Sequence, residues 1–303
     1  MRVHAVGNVC IDTTFRLDRL PEAGETVNAS GHADGIGGKG ANQAVAAART
    51  GSAVTLWAAI GEDADGTRIR QALSADLDLS GLVALTLPTD RSAIAVDARG
   101  ENVIISGVSC ARGFDPLGHT EMLQAIAPGD IVVLQGNLTV EVTSACLQAA
   151  KARGANTVLN ASPLAKDVAF DLNCVDFVVV NEGEALAITG LAVPQEAAAA
   201  LIAHGAGAAI ITLGARGCVL LEKDIPAVFI TAPDVDSIDT SGAGDVLCGV
   251  FAGCLAQAMA PEAALRVAVE AAAIAVTRTG TLAACPTAAE LSILMQKSET
   301  EQP

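Results

Sequence analysis

The run Asp239-Thr240-Ser241-Gly242-Ala243-Gly244-Asp245 leads directly into the apolar stretch VLCGVFAGCLAQAM. Small residues leave backbone N–H groups uncovered where a helix begins, and those amides, aided by the helix dipole, make a hole for an anion. Asp245 beside that hole can accept a proton from an attacking hydroxyl. The amides of Gly242, Ala243 and Gly244 can meanwhile stabilise charge on a phosphoryl group in transit. On spacing alone the run also reads as a glycine-rich turn in which Asp245 caps a helix.

Three further loops carry chemistry. Gly35-Ile36-Gly37-Gly38-Lys39-Gly40-Ala41-Asn42-Gln43 formally contains G-x-G-x-x-G, but no clean apolar strand precedes it, so a dinucleotide fold is unsupported. It is no Walker A loop either, because Gly40 follows Lys39 where Ser or Thr is required. What remains is a glycine loop opening a helix, with an amine and an amide suited to a polyhydroxylated ligand. Asn181-Glu182-Gly183-Glu184 follows the apolar run FVVV, where open α/β sheets bind ligands. Its oxygens suit Mg²⁺ held through water, and equally a capping box with Asn181 as N-cap and Glu184 three residues on. Thr212-Leu213-Gly214-Ala215-Arg216-Gly217, also after a strand, can contact a nucleotide.

The elements that must position these loops are those of an α/β chain. Short apolar runs such as DIVVLQG and VDFVVVN alternate with Ala-rich helical stretches, which predicts a mainly parallel sheet covered on both faces. Strands are expected at Val3–Val6, Val54–Ala58, Ile131–Leu134, Thr157–Leu159, Phe177–Val180, Ala209–Thr212 and Cys218–Leu221. Helices are expected at Ala41–Arg49, Gly66–Ala75, Val142–Arg153, Gly183–Thr189, Gln195–His204, Asp245–Met259, Pro261–Thr277 and Ala288–Gln296, with a frayed tail from Gln296. Two stretches, about 11–33 and 91–108, break the rhythm with polar alternation, the second around an Arg99-Gly100 turn. They predict a small sheet that projects as a lid, or plain surface hairpins.

The 303 residues suit a single α/β domain, and with 51% hydrophobic residues the core is sizeable. A net charge of −16 disfavours nucleic acid and anionic membranes, and aromatics at 2% argue against stacking platforms for single strands. Eight cysteines without a CxxC pair, mostly in apolar runs, predict reduced buried thiols and a cytoplasmic setting. The opening MRVHAVGNVCID reads as a strand rather than a signal peptide, and no run is long enough to span a membrane.

Together, GGKGANQAVAAARTG (Gly37–Gly51) and DTSGAGDVLCGVFAG (Asp239–Gly253) resemble the two signatures of the PfkB family of carbohydrate kinases. PEAGETV, ARGENVI, NEGEA, ITLGARGC and AAAIAVTRTG fall in the family's order, so the likeness runs over essentially the whole chain. It implies a ribokinase-like three-layer α/β/α sandwich with a small β-sheet lid, and a homodimer through that lid. It implies ATP, Mg²⁺ and a sugar as ligands, with K⁺ for a monovalent-cation site. Carried over residue by residue, Asp245 is the catalytic base, with Gly242, Ala243 and Gly244 the anion hole. Asp12, Gly38, Lys39 and Asn42 are sugar ligands. Asn181 and Glu184 serve Mg²⁺-ATP, and Thr212 and Gly214 lie near the nucleotide. Asp239 and Ser241, with Ala275, Arg278 and Gly280, match the cation site. Cys10 stands where such sequences commonly carry Asn, and Asn137 where they commonly carry Glu. Ala284 replaces a frequent Ser near the cation site. The expected activity is phosphorylation of a primary hydroxyl on a pentose or related polyol. The rivals are a nucleoside kinase of the same family, or a silent sugar- or nucleotide-binding protein.

Overall fold

The computed structural model describes residues 1–99, 101–118, 120–164 and 170–300. The chain opens with β1 (Val3–Val6), then leaves its carboxyl end as β2 (Cys10–Arg16) and β3 (Gly31–Gly37). It returns as α1 (Lys39–Arg49), β4 (Val54–Gly61), α2 (Ala64–Leu73) and β5 (Leu82–Leu85). A second excursion makes β6 (Arg91–Val96) and β7 (Asn102–Ser106), followed by α3 (Ser109–Gly113) and α4 (Thr120–Ala125). Alternating units follow: β8 (Ile131–Gln135), α5 (Val140–Ala152), β9 (Asn156–Asn160), β10 (Phe177–Asn181), α6 (Glu182–Thr189), α7 (Pro194–Ala203) and β11 (Ala208–Thr212). The antiparallel strands β12 (Cys218–Glu222) and β13 (Val228–Ile230) precede α8 (Ala243–Ala256), α9 (Pro261–Val276) and α10 (Ala288–Thr300).

The main sheet has nine strands in the order β13-β12-β11-β10-β9-β8-β1-β4-β5, parallel from β11 through β5. Side chains alternate across it as strand geometry requires. Ile131 and Val133 face one core, with α1, α8 and α9, while Val132 and Leu134 face the other, with α5 and α7. The result is a three-layer α/β/α sandwich. The order reverses at β1, whose neighbours are β8 and β4, so the crevice of this open sheet lies beyond Val6.

The two irregular stretches form a separate four-stranded sheet, order β3-β2-β6-β7. The first excursion reaches past the expected 11–33, from Cys10 to Gly37, because β2 and β3 pair along their whole length, while the second, from Arg91 to Ser106, stays within the expected 91–108. Of the Arg99-Gly100 turn, Gly100 lies outside the described residues. This sheet is tied to α2 by Arg91, which bonds Thr13 Oγ1 at 2.7 Å and Asp65 Oδ2 at 2.8 Å. β7 is exposed throughout, including Val103, Ile104 and Ile105.

Three sequence expectations need correction. The helix expected from Asp245 begins at Ala243, because the small residues before Asp245 adopt helical backbone. α10 continues to Thr300 instead of fraying at Gln296; residues 301–303 lie outside the described ones. β5 and β13, short edge strands of four and three apolar residues, were not among the expected strands. The cysteines are free thiols, all buried except Cys174, which is half-buried. Among the described residues no single helix is long and apolar enough to cross a membrane.

At the amino end of β1, His4 is fully buried and accepts a hydrogen bond at Nδ1 from Trp57 Nε1 (3.1 Å). Its Nε2–H therefore faces Asp130 Oδ2 at 3.3 Å. Burial pushes the His4 pKa below the ordinary 6.5, although Asp130 pulls the other way. The unfolded chain thus binds this proton more readily than the folded one, and stability is lost as pH falls below about 6.5. Urea unfolding between about pH 5.5 and 7.5 should show stability rising with pH, with a flatter profile in His4→Gln. Equal slopes in the two proteins would remove His4 as the cause.

Candidate active site

Asp245 occupies the third position of α8 and is buried. Its Oδ2 accepts from Asn42 Nδ2 at 3.0 Å and its Oδ1 from Gln43 Nε2 at 3.0 Å. Lys39 Nζ stands 3.6 Å from Oδ1. The lysine loop and the aspartate loop therefore meet, although over two hundred positions separate Asn42 from Asp245 (|i−j| = 203). Attraction to Asp245 raises the Lys39 pKa against the opposing cost of burial, and Glu184 adds to it, so this amine stays charged.

Local backbone explains why these residues converge. Gly38 caps α1 with φ 97°, and a Cβ there would fall 2.7 Å from Val9 Cα, so only glycine lets the loop lie on the chain leaving β1. Lys39, Asn42 and Gln43 then occupy the first two turns of α1, which packs along α8. At the other loop, Ser241 and Gly280 donate their amides to Asp239 Oδ1 and Oδ2, both at 2.9 Å. Burial alone would raise the Asp239 pKa, but the amides of Gly280 and Ser241 outweigh it and hold the carboxyl below its usual range. With the turn so tied, the Gly244 and Asp245 amides donate to no backbone acceptor among the described residues.

Of the other expected residues, Asp12 lies within electrostatic reach of Asp245. Cys10 Sγ donates to Asp12 Oδ1 at 3.3 Å and lies 3.8 Å from Ser92 Oγ. Burial pushes the Cys10 thiol far up, so it is a neutral, weak donor. Burial also raises the Asp12 carboxyl above its usual range; bonds from Cys10 and Ser92 oppose this and the Asp245 charge reinforces it. Asn137 Oδ1 and Asn42 Oδ1 are buried amide oxygens without a hydrogen-bond partner among the described residues. Asn181 and Glu184 complete a reciprocal capping box on α6, Asn181 Oδ1 accepting from Glu184 N and Glu184 Oε2 from Asn181 N, both at 2.8 Å.

Thr212, Gly214, Ala243 and Gly244 line a cleft of about 320 Å³ beside the aspartate loop. Its other walls are largely apolar: Ala232, Pro233, Val235, Leu247, Val269, Ala272, Ala273 and Val276. The cleft suits a flat heterocycle, and Gly244, whose amide is open, is one of its lining residues. The sequence reading missed these walls, which, apart from Leu247 on α8, come from a loop without a motif and from one face of α9. Of the cation-site residues, Asp239, Ser241 and Gly280 share one knot, while Ala275 O accepts from Arg278 N at 3.0 Å and the Arg278 guanidinium pairs with Glu290. Also missed were Gln43, Gln135 and Asn160. The last two end apolar strand runs, the same signal that drew attention to Asn181.

Residues 2–288 match the model of the pfkB family carbohydrate kinases. The chain belongs to that family. Within the family it is similar to the deoxyribokinase of Salmonella typhi, 30% identical over 99% of this chain and 100% of that one. It is also similar to the ribokinase of Haemophilus influenzae, 30% identical over 94% and 95% of the two chains. Among solved structures, that of Arabidopsis thaliana ribokinase complexed with ribose and ATP superposes with a TM-score of 0.88 at 25% identity, covering 97% of this chain and 98% of that one. This carbohydrate kinase therefore has the ribokinase-like fold, and its class of reaction is phosphoryl transfer to an alcohol.

Proposed function

We propose that this carbohydrate kinase moves the γ-phosphoryl group of ATP onto the primary hydroxyl of a pentose. The observation that carries the reading is the meeting of Asp245 with Lys39 and Asn42, next in sequence to Ala243 and Gly244, which line the apolar cleft. The adenine of ATP occupies the cleft between Val235, Leu247 and Ala272. The phosphates then reach the amides of Gly242, Ala243 and Gly244, of which that of Ala243 exchanges its long 3.4 Å bond to Thr240 O for a phosphate oxygen. Asp245 removes the proton from the attacking hydroxyl, and Lys39 and the amides stabilise the charge that develops. Gly38, Asp12, Asn42, Asn137 and Cys10 surround the sugar. The unpartnered oxygens of Asn42 and Asn137 are acceptors that sugar hydroxyls would satisfy.

Glu184 keeps its Oε1 and Asn181 its Nδ2 outside the capping box, so these residues fit a hydrated Mg²⁺ and a phosphate oxygen respectively. Mg²⁺ bound there would neutralise charge on the phosphates. Asp239 and Ser241, with the carbonyls near Ala275, Arg278 and Gly280, fit a monovalent cation such as K⁺, since each Asp239 oxygen spends one lone pair on an amide and keeps another. The chain reads as one domain, residues 1–303, with the four-stranded sheet as a lid. The apolar exposed strand β7 offers that lid a second copy as partner. The thiols and the acidic surface fit a cytoplasmic protein.

Ribose and 2-deoxyribose head the candidate substrates. A thiol at position 10 lacks the paired donors and acceptor of an amide, so a missing hydroxyl leaves less unsatisfied there. ADP release measured across ribose, 2-deoxyribose, fructose, keto-deoxy sugar acids and adenosine, with and without K⁺, tests the reading. Pentose-dependent turnover is expected. Turnover confined to adenosine would make this a nucleoside kinase. Ligand-induced stabilisation without ADP release for any sugar would make it a silent binder.

A further inference from the structure

Gln43 lies one residue beyond Asn42 on α1 and is 1% exposed. Nothing in the phosphoryl-transfer scheme uses it, yet each of its polar side-chain atoms is engaged. Nε2 donates to Asp245 Oδ1 at 3.0 Å and to Asn160 Oδ1 at 3.2 Å, and Oε1 accepts from Gln135 Nε2 at 2.8 Å. Asn160 is held in turn by its Nδ2, which donates to Val179 O at 3.2 Å.

The direction of this chain of amides is fixed by chemistry. Turning Gln43 over would set its oxygen against two acceptors, Asp245 Oδ1 and Asn160 Oδ1, and its nitrogen against a donor, Gln135 Nε2. Turning Gln135 over would set oxygen against oxygen. Gln135 therefore directs its own Oε1 away, where it is buried without a donor and lies 1.9 Å from where a Cβ on Gly7 would stand. Such an unsatisfied acceptor is costly, so some other requirement keeps Gln135 in this orientation. That requirement is its donation to Gln43.

We infer that Gln43 is a positioning residue for Asp245, with Gln135 and Asn160 locking it: the chain immobilises Oδ1 and leaves Oδ2 as the oxygen that takes the substrate's proton. Oδ1 faces Gln43 and Lys39, whereas Oδ2 accepts only from Asn42 among the described residues. Anchoring one oxygen from the carboxyl ends of β8 and β9 fixes the plane of the carboxylate relative to the cleft. The inference rests on the reading of Asp245 as base. The charged or titratable groups facing Asp245 are Lys39 on α1, Asp12 on β2 and the Cys248 thiol one turn along α8, and the variants below leave all of them in place.

The test compares Gln43→Met, which removes donor and acceptor at similar volume, with Gln43→Glu, which sets a like charge against Oδ1. Both are followed by steady-state kinetics across pH, with ribose or whichever sugar the panel identifies. In Gln43→Met, kcat should fall about 10- to 100-fold, the cost of a misplaced catalytic group. KM for ATP and sugar should stay within about twofold, since Gln43 is buried and spends its polar atoms on protein partners. The acidic limb of kcat/KM should move to higher pH in both variants, and further in Gln43→Glu, because a donor to the ionised carboxylate is lost and then replaced by a repelling charge. A merely structural role would lower thermal stability and leave that limb in place, which would overturn the inference. Should Gln43→Met fail to fold, the limb of the near-isosteric Gln43→Glu decides alone. Asp245→Asn separates the two readings. If it turns over normally, the base assignment fails whatever Gln43 does. If it is inactive while both Gln43 variants keep the wild-type kcat and acidic limb, only the positioning role falls.

Discussion

Asp245→Asn is expected to lower kcat by about 10²–10⁴, the usual worth of a general base, with KM for ATP little changed. The substitution is nearly isosteric, and the surrounding amides say how it would be accommodated. Gln43 must keep its Nε2 toward position 245, because its Oε1 accepts from Gln135. Asn42 is under no such constraint, since its Oδ1 has no partner. It can turn over and accept from the new amide, so the variant should fold and melt close to wild type. Asp245 is not among the residues that line the cleft, which is why ATP binding should survive. Kinetics with saturating sugar and varied ATP, alongside a melting curve, check all three expectations. Near-normal kcat would remove Asp245 from proton transfer.

Gly249→Val should destabilise the protein by about 1–3 kcal/mol, the ordinary cost of overpacking, and reduce turnover as well. Gly249 sits in the interior of α8, one turn beyond Asp245, where glycine itself costs the helix up to about 1 kcal/mol relative to alanine. A Cβ at that point would lie 2.3 Å from Gln43 O and 2.6 Å from Ala46 Cβ. The nearest atom is backbone, so it cannot swing aside; α1 and α8 would have to move apart. The steric cost exceeds any gain in helix propensity. Because α1 carries Lys39, Asn42 and Gln43 while α8 carries Asp245, separation lengthens the contacts that orient the carboxylate. Urea unfolding reads the first effect and kcat the second. A variant of unchanged stability and full activity would show that this helix contact does not hold the site together.

The same pair of helices shows where sequence reasoning reached and where it stopped. Gly-rich runs leading into apolar helices marked two helix starts, one with bare amides beside a carboxylate and one with an amine and an amide, although each run also read as a plain turn. The signatures around Lys39 and Asp245 named the family, and the alternation of apolar runs with Ala-rich stretches foretold three layers. The antiparallel strands β12 and β13 went unforeseen in direction, because an apolar run carries no sign of its polarity. The walls of the apolar cleft were likewise invisible: Val235, Val269 and Ala272 are ordinary apolar residues until the loop before α8 is folded against α9. Asn181 and Glu184 were open to two readings, and the capping box realises the local one while leaving oxygen and nitrogen for a ligand.

Residue type and short-range order determined which groups are available: a carboxylate at a helix start, an amine and amides on another helix, and strands apolar enough to be buried on both faces. These are local properties, set by backbone propensity, side-chain volume and the period of the pattern. Only the tertiary structure decided which oxygen of Asp245 meets Gln43 and which meets Asn42, that Gln135 and Asn160 stand behind Gln43, and that an apolar cleft opens beside them. Those contacts join residues |i−j| = 92 to 203 positions apart. They exist because helices rich in Ala and Gly close to backbone contact across the end of one sheet, and no pattern within a single segment records how two segments meet.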